Sequence, residues 1–371
     1  MNILCLDQFG ELGGAQRCLL DLLPAMAERG WGVHLAAPGG LLGERAIAMG
    51  GGITAHTLRC GPYSSGKKSL ADMARFAAET PRLAREIRGL AQQYDADLIY
   101  VNGPRLLPAA ALASRKGPRV LFHSHSLLDG TARRVAGRAM EMADATIVAS
   151  CHFVATPWLA YSRDRDVQVV HNGVRRMAEG KRDGPAAEFR IGVIGRISPE
   201  KGQADFLRAA RILHGLAAPP CRFLICGSPL FSDAGAVRYG AAVEALAEGL
   251  PVEFNGWTED IDGVLGRLDL LVVPSTAVDA TPRVVMEAFA AGVPVVAFAC
   301  GGIPEIVEHG VTGFLVEERS AQGLAFAIRD LLGKPERLLE IAERARAKAR
   351  GEFSLERYRA QMVRAIEGAL I

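Results

Sequence analysis

The chain has 371 residues, 49% of them hydrophobic and 23% charged, with a formal net charge of +2. That length leaves room for two domains, each with its own core, and the near-neutral balance excludes a dedicated nucleic-acid binder. Seven cysteines, scattered and without Cys-x-x-Cys spacing, read as reduced thiols of a cytoplasmic protein rather than a disulfide framework or zinc site. No apolar run reaches the ~18–20 residues of a membrane-spanning helix.

Asn2 to Asp7 reads as a first strand, with no signal-peptide architecture before it. The loop Gly10-Glu-Leu-Gly13-Gly14-Ala-Gln16-Arg17 follows, then a helical pattern from Cys18 to Arg29. A glycine-rich turn there either brings backbone N–H groups close to a phosphate or sugar, or is an ordinary tight turn. Further strands are expected at 32–36, 52–57, 97–102, 119–124, 144–149 and 167–170, mostly with helices between them. This alternation predicts an α/β, doubly wound parallel sheet, which binds ligands beyond the C-terminal ends of its strands. His123 and His125 lie at such an end, as structural or functional residues.

Residues 59–93 carry Arg59, Lys67, Lys68, Arg75, Arg82, Arg85 and Arg88 against Asp72, Glu79 and Glu86. Leu83, Ile87, Leu90 and Tyr94 give the segment an apolar stripe at helical spacing. It reads as a solvated surface helix or, more sharply, as a peripheral contact with an anionic membrane. Residues 1–180 hold 21 basic and 16 acidic residues against 22 and 25 in the remainder, so the basic excess lies in the N-terminal half.

Arg175 to Glu188 reads as a linker, and a second α/β domain opens with a strand from Phe189 to Ile194. Gly195-Arg196 and Lys201-Gly202 then stand at a strand end, before a helix from Gln203 to Leu213. An Arg fork with a Lys point charge suits a diphosphate, although a pair of this kind can also be an exposed basic turn. Trp257 follows as a core or site residue. Leu270 to Val273 is a buried strand, Thr281 and Pro282 suit the N-cap and first position of a helix ending at Gly292, and Val293 to Phe298 is the next strand.

Glu287 is a lone charge inside Val-Val-Met-Glu-Ala-Phe-Ala-Ala. Burying a carboxylate is costly without a partner. Either the two hydroxyls of a vicinal diol supply that partner, or the side chain reaches the surface or an Arg. The N-terminal N–H groups around Pro282, Arg283 and Val284 form a nearby anion site.

The run Asp279, seven residues, Glu287-Ala-Phe-Ala-Ala-Gly292-Val-Pro294-Val-Val, then Gly301-Gly302-Ile-Pro-Glu305 resembles the signature of family 4 glycosyltransferases, which are retaining enzymes of GT-B type. That family has Glu where Asp279 stands, and commonly Phe-Gly or Phe-Pro at Thr281-Pro282. The glycine loop resembles the family's Gly-Gly-Ala-Glu loop, with Gln16 replacing Glu. His171-Asn172-Gly173-Val174 resembles its Asn-Gly-Val, and Gly195-Arg196 with Lys201-Gly202 its pyrophosphate grip. The resemblance spans essentially the whole chain.

It implies two Rossmann-like domains facing across a cleft: an acceptor-side domain at 1–174 and a nucleotide-sugar domain at 175–353. Helix 354–371 would pack back on the first domain. Catalytic roles fall to Arg196 and Lys201 on the leaving phosphates, Asp279 on the donor sugar, and a strand-end histidine, His123 or His125, with His125 nearer the loop. Gly13, Gly14, Gly195, Trp257, Thr281, Pro282, Arg283, Val284 and Glu287 would bind the donor. The donor would be a UDP- or GDP-sugar, the acceptor a glycan, a lipid-linked or a small molecule, and the setting cell-surface polysaccharide or glycoconjugate synthesis. Arg196 and Lys201 can take a metal's role, so no metal or other cofactor is expected. A non-catalytic nucleotide-sugar binder, or an epimerase or phosphorylase on the same scaffold, stands as the alternative.

Overall fold

The computed structural model describes residues 1–61, 70–162, 167–176, 188–216, 218–229, 234–277 and 279–371. Lys67, Lys68 and residues 177–187 of the expected linker lie outside them. The chain folds as two units, Met1–Gly173 with Glu356–Ile371, and Val174–Leu355.

The first unit runs β1 (Asn2–Leu6), α1 (Gly14–Glu28), β2 (Gly32–Ala37), α2 (Leu41–Ala48), β3 (Thr54–Thr57), α3 (Leu70–Gln93), β4 (Leu98–Val101), α4 (Leu107–Ala113), β5 (Arg119–Ser124), α5 (Gly130–Ala143), β6 (Thr146–Ala149), α6 (His152–Ala155) and β7 (Gln168–Val169). Its parallel sheet has the order β3-β2-β1-β4-β5-β6-β7. Strands such as β4 bury every residue, because helices cover both faces of the sheet. The stripe on α3 faces this core: Leu83 and Ile87 are buried, and Tyr94 just beyond stacks on His34 with ring centroids 3.7 Å apart.

The second unit continues with β8 (Phe189–Ile194), α7 (Gln203–His214), β9 (Cys221–Cys226), α8 (Ala234–Ala247), β10 (Val252–Gly256), α9 (Ile261–Leu265), β11 (Leu270–Val273), α10 (Arg283–Ala291), β12 (Val295–Phe298), α11 (Ile303–Ile306), β13 (Phe314–Val316), α12 (Ala321–Leu332) and α13 (Pro335–Glu352). Its sheet order is β10-β9-β8-β11-β12-β13. Both sheets are therefore doubly wound and reverse their order beside their first strand, between β1 and β4 and between β8 and β11. Such switch points are where this architecture binds ligands.

The last helix, α14 (Leu355–Gly368), completes the first unit. Tyr358 Oη donates to the Cys18 carbonyl at 3.1 Å, Arg359 Nε donates to that of Asp21 at 2.6 Å, and Met362 and Ile366 are buried. The chain enters and leaves the second unit through neighbouring backbone, Val174 N–H donating to Phe353 O and Leu355 N–H to Val174 O.

Candidate active site

In the second unit the loops after β8 and β11 meet at the switch point. Thr276 N–H donates to Glu200 O at 3.0 Å, and Thr276 Oγ1 to Pro199 O. Between them Lys201 Nζ lies 2.6 Å from Asp279 Oδ2, which also accepts from Ser275 Oγ at 3.0 Å. Two glycines make this contact fit. A Cβ on Gly202, at φ +71°, would lie 1.9 Å from Pro274 O, and one on Gly301, at φ +61°, would lie 2.1 Å from Asp279 O. Gly302 N–H then holds the Asp279 carbonyl at 2.9 Å. The Gly-Gly pair thus fixes the backbone that carries Asp279.

Arg196 pairs with Glu200, four residues on, and its Nε lies 3.5 Å from Ser198 Oγ. Burial pushes the Glu200 carboxyl up, but its own backbone N–H, the Arg196 guanidinium and Ser198 together hold it below the usual carboxylate range. Gln203 Nε2 donates to Arg196 O at 2.8 Å and orders the loop from beneath.

On α10 one sequence expectation needs correction. Pro282, not Thr281, is the N-cap, with ψ 111° in the extended region. Proline fixes φ but not ψ, so a helix can begin after it. Of the partners left open for Glu287 the structure shows an Arg: Arg283 Nε lies 3.6 Å from its Oε1, one turn earlier on the same half-buried face. Val285, Met286, Ala288 and Phe289 fill the core-facing side. The α10 N-terminus has no side-chain cap.

Gly195, at φ +152°, ends β8 with open space where a Cβ would stand. Trp257 lies beyond β10 at the sheet edge and is 45% exposed, which excludes its reading as core. It is two strands away from the Lys201–Asp279 pair.

In the first unit a second polar group occupies the corresponding switch point. Asp7, fully buried just past β1, accepts from Phe9 N–H at 2.9 Å, from Gln16 Nε2 at 2.9 and 3.0 Å, and from Asn102 Nδ2 at 2.6 Å. Asn102 follows β4, and its Oδ1 lies 2.8 Å from His125 Nε2. The His125 ring lies against His123, centroids 3.9 Å apart, and His123 Nδ1 hydrogen-bonds Tyr100 Oη. Burial, then the neighbouring His125, pushes the His123 pKa well down. His123 has no exposed surface, whereas His125 is half-buried on the loop side. Gly13 is the N-cap of α1, its N–H donating to Gln16 Oε1, and Gly14 has open space where a Cβ would stand. Gln16, in the place of the family's Glu, therefore serves the fold by holding Asp7.

Asp7, Asn102, Ser275 and Gln203 were missed in the sequence. The first three are single polar residues at or near a strand end and Gln203 opens α7, signals that become specific only once the sheet order is known. Of the arginines read as a membrane-facing set, Arg88 donates to the Ala113 and Leu112 carbonyls and caps α4, and Arg82 donates to the Arg59 carbonyl. Among the described residues no cluster of His, Cys, Asp or Glu side chains could hold a metal ion, and no helix is long and apolar enough to cross a membrane. A groove of about 480 Å³ near β6 and β7, lined by His152, His171 and Arg357, includes none of the expected site residues.

Residues 12–176 match the model of Glycosyltransferase Family 4, and residues 188–334 that of Glycosyl transferases group 1. D-inositol 3-phosphate glycosyltransferase of Mycobacterium tuberculosis is 35% identical over 173 residues, which are 45% of this chain and 34% of that protein. The match thus spans about a third of the curated relative. HepE of Anabaena, in complex with UDP and with UDP-glucose, superposes with a TM-score of 0.80 at 26% identity, over 99% of this chain and 100% of that one. Sucrose-phosphate synthase of Thermosynechococcus elongatus superposes with a TM-score of 0.83 at 22% identity, over 99% and 98% of the two chains, a likeness of fold. The two family models lie one on each doubly wound sheet, and the chain belongs to the family 4 glycosyltransferases of GT-B fold.

Proposed function

We propose that this chain transfers a sugar, with retention, from a nucleoside-diphosphate sugar bound by the second unit. The observation that carries the reading is the Lys201–Asp279 pair at the β8/β11 switch point, beside Arg196 and the uncapped start of α10. Departure of the nucleotide places charge on its phosphates. Lys201, Arg196 and the N–H groups of Arg283 and Val284 stabilise that charge as it develops. Asp279, released from Lys201, accepts hydroxyls of the donor sugar, and Glu287 holds the ribose diol with Arg283 as its resting partner. The leaving phosphate takes the acceptor's proton in a front-face attack, and the cations serve where a metal otherwise would.

UDP is the favoured nucleotide, because HepE, 26% identical, is known in complex with UDP and UDP-glucose. The acceptor would be a glycan, a lipid-linked or a small polar molecule, in cell-surface synthesis. Calorimetry with UDP, GDP and ADP, followed by NMR of the product anomer from the matching sugar donor, tests the reading. Tight binding of a nucleoside diphosphate and an unchanged anomeric configuration are expected. Transfer with inversion, or no nucleotide binding at all, overturns it.

The α3 face presents Arg75 and Arg85 to solvent, which supports peripheral contact with an anionic membrane. Co-sedimentation with vesicles rich in anionic lipid should fall as salt rises and drop further when both become Glu. Binding indifferent to salt and to both changes removes this part of the reading.

A further inference from the structure

Three carboxylates on this sheet edge and α10 each stand against a cation: Asp279 against Lys201, Glu287 against Arg283, and Glu200 against Arg196. In the proposed donor site Asp279 takes sugar hydroxyls and Glu287 the ribose diol, whereas Glu200 meets no part of the donor. A carboxylate beside a phosphate-binding arginine weakens binding, because it must be displaced and then stands close to a like charge.

The backbone around Glu200 is fixed while its side chain is half-open. Pro199–Lys201 forms a 3₁₀ turn, closed by Lys201 N–H on Ser198 O at 3.0 Å and Gly202 N–H on Pro199 O at 3.2 Å. Thr276 holds it from the other loop, its N–H on Glu200 O and its Oγ1 on Pro199 O, both at 3.0 Å. From this turn the carboxylate reaches back four residues to the Arg196 guanidinium, and the two side chains are 40% and 31% exposed. A pair this open exchanges partners readily, and a phosphate competes well for an arginine fork.

Glu200 is also equipped to stand without Arg196. Burial pushes its carboxyl up, yet its own backbone N–H, the guanidinium and Ser198 together hold it below the usual carboxylate range. The backbone N–H and the Ser198 hydroxyl remain as donors when the guanidinium turns to a phosphate. The carboxylate therefore stays ionised beside the cation it has given up. As a bound phosphate lets go of one guanidinium N–H after another, Glu200 can fill each in turn, so no cation is left bare on the way out.

We propose that Glu200 is a resident competitor for Arg196: it holds the guanidinium in the empty site, yields it to the nucleotide's diphosphate and reclaims it after transfer. This role rests on the nucleotide-sugar reading of the site. Glu200 acts through Arg196 and is a positioning residue, one that weakens nucleotide binding and speeds release of the product.

Calorimetry and stopped-flow release of UDP by the full chain test the proposal. Glu200→Gln keeps the shape of the side chain and removes its charge. It should bind UDP about 3–10-fold tighter and release it more slowly by a similar factor. Glu200→Ala should show the same gain, whereas damage to the turn would weaken binding. Loss of any nearby negative charge favours an anion, so the double-mutant cycle decides. On an Arg196→Gln background, Glu200→Gln should change the UDP Kd by less than about twofold. Unchanged or weaker binding by both Glu200 variants overturns the proposal, and so does a gain that survives the loss of Arg196. Inorganic pyrophosphate separates this outcome from the nucleotide reading. Pyrophosphate binding that tightens in Glu200→Gln, with no nucleoside diphosphate bound by wild type, sinks the nucleotide and leaves the competition standing. UDP binding that is equal in wild type and both Glu200 variants does the reverse, and binding of neither anion sinks both.

Discussion

The two sheets share a topology and each sets a carboxylate at its switch point, but the surroundings are opposite in kind. Asp7 has no exposed surface and is held by amides, with the His123–His125 ring pair beyond. The Asp279 side chain is 15% exposed and touches a lysine, and two further ion pairs, Arg196–Glu200 and Arg283–Glu287, stand on the same sheet edge and on α10. Amide hydrogen bonds are directional and fix orientation. Ion pairs on a half-open edge are exchangeable, because an incoming phosphate can replace a carboxylate at each cation at modest cost. The first edge is built to orient and the second to trade partners.

The strongest test of this contrast removes a cation from the trading edge. Lys201→Ala should lower kcat by ~10²–10³-fold in steady-state assays, the scale of losing one charge-stabilising group. Turnover within twofold of wild type would make the pair structural.

On the orienting edge the prediction concerns stability. An aspartate whose pKa rises from 3.8 unfolded to about 6 folded stabilises the protein below the lower value and loses that contribution as pH climbs through the higher. Between pH 4 and 7 the unfolding free energy of wild type relative to Asp7→Asn should therefore fall by on the order of 3 kcal/mol as pH rises. Urea unfolding across that range measures it. A flat difference would place a compensating charge beside Asp7 and erase the contrast with Asp279.

Asp279→Glu sharpens the comparison further. The longer side chain must overshoot a lysine that Asp279 already meets at 2.6 Å, so kcat should drop by ~10-fold through misplacement. A gain in kcat would instead show the native contact to be short of its optimum. The smallest effect is expected for Glu287→Gln, which keeps one diol acceptor and loses the charge. Nucleotide affinity by calorimetry should weaken by ~5-fold, about 1 kcal/mol. Unchanged affinity would leave Glu287 as the Arg283 partner alone.

Much of the fold was legible because parallel strands buried on both faces write themselves as apolar runs, as β1, β5, β8 and β11 do. β10 was not placed as a strand, because an edge strand with Glu253, Phe254 and Gly256 exposed has no such run. The Lys201 and Asp279 elements could be read from glycine-bounded motifs, and the structure supplies the reason for those glycines, the close backbone approaches at Pro274 and Asp279. For Glu287 the sequence left a diol and an Arg open as partners, and it did not name Arg283, which stands at i−4, the spacing at which helical charges meet. The Asp7–Asn102 contact was illegible, since 95 residues separate its partners and only the pairing of β1 with β4 brings them together.

The return of α14 to the first unit has a consequence for the order of assembly. The second unit begins and ends at the Val174–Phe353 contact, so all of its secondary structure has been synthesised once residue 355 has left the ribosome. The first unit has its elements from β1 to β7 much earlier, but the side of α1 near Cys18 and Asp21 stays uncovered until Tyr358, Met362 and Ile366 emerge. The half made first is thus the half finished last, and it waits with apolar surface open through the synthesis of a whole domain. A chain released before α14 would carry a complete second unit beside an unfinished first, a species for chaperones and proteases to recognise.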